Sequence, residues 1–174
     1  PRVRSPAVLT ETFGPQAGFP RLHILDSTDP AQVKATADAI DLAKTLFIVS
    51  SKSGSTLEPN VFRDYFLARV KEAVGEDKAG SRFVAVTDPG SAMEKAAQAD
   101  GFRRIFHGVK EIGGRYSVLS AFGLVPAAAG GIEVREALEN ARTMVRSCGP
   151  AGPPSQNPGV QRGAAPGTGA RGRG

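Results

Sequence analysis

The residues best equipped for chemistry in this chain of 174 lie between positions 51 and 56, inside the stretch FIVSSKSGSTLEPNVF, residues 47 to 62. Ser51, Lys52, Ser53 and Thr56 offer three hydroxyls and one ammonium, and Gly54 interrupts them. A phosphate dianion requires that set: many hydrogen-bond donors and a compensating positive charge. The glycine lets the backbone curl so that several N–H groups converge. An apolar run ends just before the group, and a helical pattern begins near Thr56. A helix N-terminus presents unpaired N–H groups and about half a positive charge, which adds to the pull on an anion. The loop needs no metal and no cofactor, and it lacks the Gly-Lys-Ser/Thr spacing of a nucleotide-phosphate loop. Ser55-Thr56-Leu57-Glu58 also fits a capping box, with Ser55 as the cap and Glu58 reaching back. That pattern accounts for one serine and the glutamate, but not for Ser51, Lys52 and Ser53.

A second group lies in EIGGRYSVLSAFG, residues 111 to 123. Taken alone, Gly113-Gly114-Arg115 reads as a turn followed by a surface arginine. Tyr116, Val118, Leu119 and Phe122 read as core. His23 and His107 sit in strand-like runs and are expected to be structural. Cys148 has no histidine nearby and is expected to be inert.

These groups need a scaffold, and the chain alternates strand and helix patterns. RLHIL (21–25) reads as a short strand, followed by a helix with Asp29 as cap and Pro30 at its first position. TLFIVS (45–50) is continuously apolar, as a buried parallel strand is. Residues 56–74 carry Phe62, Phe66, Val70 and Val74 along one helical stripe. SRFVAVTD (81–88) is the next strand, and it ends in the turn Asp88-Pro89-Gly90. Ser91 and Glu94 mark a capping box for the helix after it. FRRIFH (102–107) reads as another strand and RYSVLSAFGLVPAAA as a buried helix. EVREALENARTMV has Val134, Leu138, Ala141 and Val145 at helical spacing. Such alternation with short links predicts an α/β fold: a doubly wound, flavodoxin-like parallel sheet with helices on both faces. Its ligands bind beyond the carboxyl ends of the strands, where residues 51–56 lie.

The bulk properties narrow the function. The single cysteine excludes an internal disulfide and suits a reducing, cytoplasmic compartment. No apolar run is long enough for a membrane span, and the N-terminus shows no signal-peptide pattern. The formal charge is +5, but Arg162, Arg171 and Arg173 lie in a segment with no acid, so the body is nearly balanced. Neither a nucleic-acid nor a membrane partner is expected. Residues 149–174 hold eight Gly and five Pro, with no Leu, Ile, Phe, Tyr or Met, and read as a disordered tail. The expected organisation is therefore a binding domain over 1–148 and a tail over 149–174.

SKSGSTLE resembles the phosphosugar loop of sugar isomerase (SIS) domains, and EIGGRYSVLSAFG resembles the signature of the glucose-6-phosphate isomerase family. GFPRLHILDSTDPAQV and the sequence between the motifs are similar to that family too, in particular to bacterial forms sometimes fused to transaldolase. The resemblance runs from residue 6 to about 147. It implies an SIS-type domain and an aldose–ketose isomerase of glycolysis and gluconeogenesis that interconverts glucose 6-phosphate and fructose 6-phosphate. It also implies that Ser51, Lys52, Ser53 and Thr56 hold the phosphate and that Arg115 is the catalytic cation. A sugar phosphate is then the partner, and the full-length form a homo-oligomer.

The family's Gly-Ser pair is replaced here by Arg2-Val3-Arg4-Ser5. Its catalytic glutamate and ring-opening histidine fall after the second motif, and Glu11, Glu58, Glu94 and Glu111 do not match the base. The expectation is one domain of a larger isomerase, inactive by itself. The alternative is a non-catalytic phosphosugar sensor, which would share the loop without needing Gly-Gly-Arg-Tyr-Ser. An amidotransferase with a similar sugar domain, and an RNA-binding protein acting through the tail, are further readings.

Overall fold

The computed structural model describes residues 12–150 and 152–171, with the backbone alone over 165–171. Helix α1 spans Pro30–Ala39 and starts as its sequence predicts: Asp29 Oδ1 accepts from Ala31 N at 2.8 Å, and Pro30 occupies the first turn. Strand β1 is Phe47–Ser50. The long helix α2, Leu57–Val74, follows, then a short α3, Glu76–Ala79, and a 3-10 turn, Gly80–Arg82. Strand β2 is Phe83–Thr87, helix α4 is Ala92–Ala99 and strand β3 is Arg104–His107. A 3-10 segment, Gly114–Leu119, leads into helix α5, Ala121–Ala129.

The three strands form a parallel sheet in the order β1-β2-β3. Period-two alternation sends Phe47, Val49, Phe83, Ala85 and Ile105 to one face. There they pack with Phe66, Leu67 and Val70 of α2 and Met93 and Ala97 of α4. Each of these large side chains contributes about 1.5–3 kcal/mol by leaving water. Val84 and Val86 point the other way, and α5 packs against β2 and β3. The sheet is therefore covered on both faces, the expected α/β arrangement.

Polarity runs along the strands. At their amino ends Phe47 stacks on Phe83 with ring centroids 4.8 Å apart, and Phe83 meets Phe102 at 5.1 Å. The carboxyl ends carry Ser51, Lys52, Thr87, Asp88 and His107. Aromatic packing thus fixes one end of the sheet and leaves the other for polar groups.

The structure corrects some sequence expectations. Residues 21–25 form no strand; Leu25 packs against the core and His23 is exposed. The apolar run after Arg115 does not begin as an α-helix. It takes a 3-10 turn that leaves Tyr116 80% and Leu119 46% exposed, with Val118 half-buried and Phe122 fully buried. Only part of that run is core, because the three-residue period of the 3-10 winding puts Tyr116 and Leu119 on one face, turned outward.

The chain divides into two compact units, Pro1–Ile132 and Glu133–Gly174. The second holds α6, Val134–Ser147, a 3-10 turn, Pro154–Gln156, and α7, Pro158–Arg171. No residue of α6 is buried, Val145 included. Asn157 joins the turn to α7: its Oδ1 accepts from Gly159 N and Val160 N, and its Nδ2 donates to Gly149 O. Helix α7 lies within the segment whose composition pointed to disorder.

Candidate phosphate site

The loop from Ser51 to Thr56 leaves the carboxyl end of β1 and enters α2. The ladder continues one step past the strand, with Ser51 N donating to Val86 O at 3.0 Å. Ser51 is buried, and its Oγ accepts from Gly54 N at 3.1 Å, which closes the turn. Gly54 adopts φ +71°, and a Cβ there would lie 2.2 Å from Met93 N. Only glycine meets both demands, the left-handed backbone and the close approach to α4.

Beyond the turn, Ser53 Oγ and Ser55 Oγ lie 2.7 Å apart, and Ser55 N donates to Ser53 Oγ at 3.2 Å. Both serines are exposed. Thr56, not Ser55, is the N-cap of α2, and no side chain accepts from the first turn. The capping box over 55–58 is therefore not formed. Glu58 stands in the first turn, and Asn60 Nδ2 donates to Gly54 O and Thr56 O. A helix start without a side-chain cap leaves its first N–H groups for another acceptor.

Lys52 is oriented by its surroundings. Its Nζ lies 3.0 Å from both carboxylate oxygens of Asp88 and donates to Val109 O at 3.0 Å. It also sits 5.5 Å from the centroid of the Phe122 ring. Its side chain is 21% exposed and that of Asp88 14%, so the pair is largely shielded from water. Asp88 follows β2 and Val109 follows β3, so one ammonium ties together the carboxyl ends of all three strands. Phe122 belongs to the second motif, so the two motifs meet across Lys52. Gly108 permits this approach: a Cβ there would meet the Phe122 ring at 2.3 Å and Asp88 Oδ1 at 2.8 Å.

Arg115 is exposed in the 3-10 segment and makes no ion pair or hydrogen bond among the described residues. Ser117 and Ser120 fix the backbone around it. Ser117 Oγ donates to Gly114 O, Ser120 Oγ donates to Ser117 O, and Ser120 caps α5 through Phe122 N. Gly123 is required because a Cβ would lie 2.0 Å from Val118 O.

Next to this loop lies an acid–imidazole pair. Glu94 Oε1 is 2.7 Å from His107 Nε2, and Glu94 Oε2 accepts from Gly90 N. The Gly90 N–H and then His107 hold the Glu94 carboxyl below the usual carboxylate range. His107 thus has a definite partner in Glu94. Ser91 Oγ accepts from Glu94 N as the capping pattern requires, but the Glu94 side chain reaches back to Gly90 rather than to Ser91. Glu11 and the segment Arg2–Ser5 lie outside the described residues. Among the described residues no cluster of His, Cys, Asp and Glu is suited to a metal ion, and no helix is long and apolar enough to cross a membrane.

Sequence reading missed Asp88, Val109 and Thr87. In sequence Asp88 reads only as part of the turn Asp88-Pro89-Gly90, and its pairing follows from the strand register. The register pairs Ser50 with Val86, so two residues further on Lys52 stands beside Asp88.

Comparison with known proteins follows the same residues. A family model described as phosphoglucose isomerase matches residues 3–160. A glucose-6-phosphate isomerase from Trichormus variabilis is 38% identical over 142 residues, covering 80% of this chain and 26% of that protein. One from Chelativorans sp. is 36% identical over 144 residues, covering 81% and 26%. Among solved structures, a hypothetical protein from Thermus thermophilus superposes with TM-score 0.80 at 31% identity, over 91% of this chain and 37% of that one. A glucose-6-phosphate isomerase from Chlamydia trachomatis does so with TM-score 0.59 at 32% identity, over 71% and 23%. The chain spans about a quarter of the length of the curated relatives it matches.

Proposed function

The chain belongs to the phosphoglucose isomerase family, and on that premise we propose that the loop at 51–56 holds the phosphate of a hexose phosphate. The whole protein then interconverts glucose 6-phosphate and fructose 6-phosphate in the cytoplasm, within glycolysis and gluconeogenesis. The observation that carries this reading is the start of α2, whose N-cap Thr56 makes no side-chain cap and lies four residues along the chain from Lys52. Ser51, Lys52, Ser53 and Thr56 are the phosphate ligands. Phosphate binding anchors the sugar, and that remote binding energy orients the reacting carbons.

Isomerisation moves a proton between C2 and C1 through an enediolate. Arg115 is the fixed cation that stabilises the negative oxygen as it develops, since its guanidinium stays charged at any working pH. Its exposure, and its lack of a protein partner among the described residues, leave it available for that role. No carboxylate among the described residues matches the proton carrier of the family. Asp88 is engaged by Lys52, Glu94 by His107 and Gly90, and Glu58 and Glu111 are exposed side chains that do not match the family's base. The chain of 174 residues therefore binds the sugar phosphate without isomerising it. Residues 1–148 carry the binding, residues 149–174 are a dispensable tail, and the full-length form assembles as a homo-oligomer without a cofactor.

Titration calorimetry with fructose 6-phosphate tests the reading. The wild-type chain is expected to bind, and the Lys52→Ala, Arg115→Ala double variant to bind at least tenfold more weakly. Equal affinities would remove the proposed site. A coupled assay is expected to give no turnover above that of the double variant, and measurable turnover would show that this chain holds a base.

A further inference from the structure

We infer that Thr87 is the positioning residue of the phosphate loop, a role that rests on the phosphate-binding reading above. Thr87 ends β2 and is fully buried. Its Oγ1 lies 2.6 Å from Ser51 O, 3.2 Å from Lys52 O and 2.6 Å from Ser91 Oγ. A hydroxyl has one hydrogen to give. The two carbonyls can only accept, so the Thr87 hydrogen goes to Ser51 O and is shared with Lys52 O. The contact with Ser91 must then run the other way, with Ser91 donating to Thr87 Oγ1. Ser91 Oγ in turn accepts from Glu94 N at 3.0 Å. Every hydroxyl in the series has a fixed direction, and the series starts at the helix cap of α4 and ends on the backbone of the loop.

Those two carbonyls set what the loop presents. In a planar trans peptide the C=O and N–H point in opposite directions. Drawing Ser51 O and Lys52 O down onto Thr87 turns the N–H groups of Lys52 and Ser53 away from the sheet. Neither N–H has a hydrogen-bond partner among the described residues. Asp88 N also donates to Lys52 O, at 3.1 Å, and so holds the same peptide unit from the strand that supplies the counter-ion of Lys52. Thr87 thus fixes the direction of two free amides without itself facing the ligand. Valine at this position would keep the shape and lose the donor.

Amide hydrogen exchange on the full chain, read at Gly54 and Asp88, compares wild type with Thr87→Val and Thr87→Ser. Thr87→Val is expected to speed exchange at both amides at least tenfold relative to the amides of Phe66 and Val70 in α2. Thr87→Ser, which restores the hydroxyl, is expected to keep wild-type rates. Fructose 6-phosphate and inorganic phosphate should bind Thr87→Val at least tenfold more weakly and Thr87→Ser within about twofold of wild type. Unchanged exchange at Gly54 and Asp88 in Thr87→Val, or a serine variant that behaves like the valine one, overturns the inference. If Thr87→Val does not fold, Thr87→Ala makes the same comparison. It removes the donor to Ser51 O and Lys52 O without adding volume, and unchanged exchange there also overturns the inference. A wild-type chain that binds neither phosphate nor fructose 6-phosphate would sink the proposed function, while the exchange comparison would still decide the role of Thr87.

Discussion

Lys52 arrives at the candidate site already paired. Its ammonium sits on Asp88, on Val109 O and near the Phe122 ring. A dianion approaching the loop therefore meets a lysine whose charge is partly offset, and much of the attraction falls to oriented N–H groups and hydroxyls. The pair also has a mechanical role, because removing one partner strands the other in a poorly hydrated place. A double-mutant cycle with Lys52→Met and Asp88→Asn, measured by urea denaturation, is expected to give a coupling energy of about 1–2 kcal/mol. Additive losses would mean that the two charges do not support each other. Ser51 differs from its neighbours. It is buried and closes the turn through Gly54 N, so it shapes the loop as well as being a candidate ligand.

At the scale of elements, α4 matters more than its eight residues suggest. Its cap residue Ser91 and its first-turn Glu94 hold the turn that carries Asp88, and Glu94 also binds His107 at the end of β3. The Glu94 carboxyl is held below its ordinary range, so its stabilising effect is complete above the unfolded-state value and disappears as pH falls through the lowered one. Thermal melts of wild type and Glu94→Gln from pH 7 to pH 3 should show the variant melting a few degrees lower at neutral pH. The two curves should converge below the carboxylate range. A gap that stays constant with pH would show that the carboxylate charge is not responsible. The capping pattern of α4 was legible in sequence, because Ser and Glu three apart bond locally. Its contact with His107 was not, because thirteen residues separate the pair.

At the scale of the molecule, the chain matches about a quarter of the length of its curated relatives and divides after Ile132. Helix α7 contains Gly159, Gly163, Gly167, Gly169 and Pro166. Each glycine costs a helix interior about 1 kcal/mol relative to alanine and a proline about 3, so this helix has little intrinsic stability. Deleting residues 149–174 is expected to leave the affinity for fructose 6-phosphate within about twofold and the melting temperature nearly unchanged. A larger loss would give the segment a part in the binding unit.

The sequence by itself determined the local features: the Asp29 and Ser91 caps, the apolar strands, the α2 stripe and the glycine-broken loop. Each depends on neighbours a few residues apart. It also carried the two motifs that mark the family. Only the tertiary structure decided that Lys52 bridges Asp88 and Val109, that Thr56 leaves α2 without a side-chain cap, and that Tyr116 and Leu119 face outward while Phe122 is buried beside Lys52. It also decided that residues 21–25 form no strand. These outcomes depend on the register of parallel strands and on close approaches between distant segments, which no local pattern in the chain encodes.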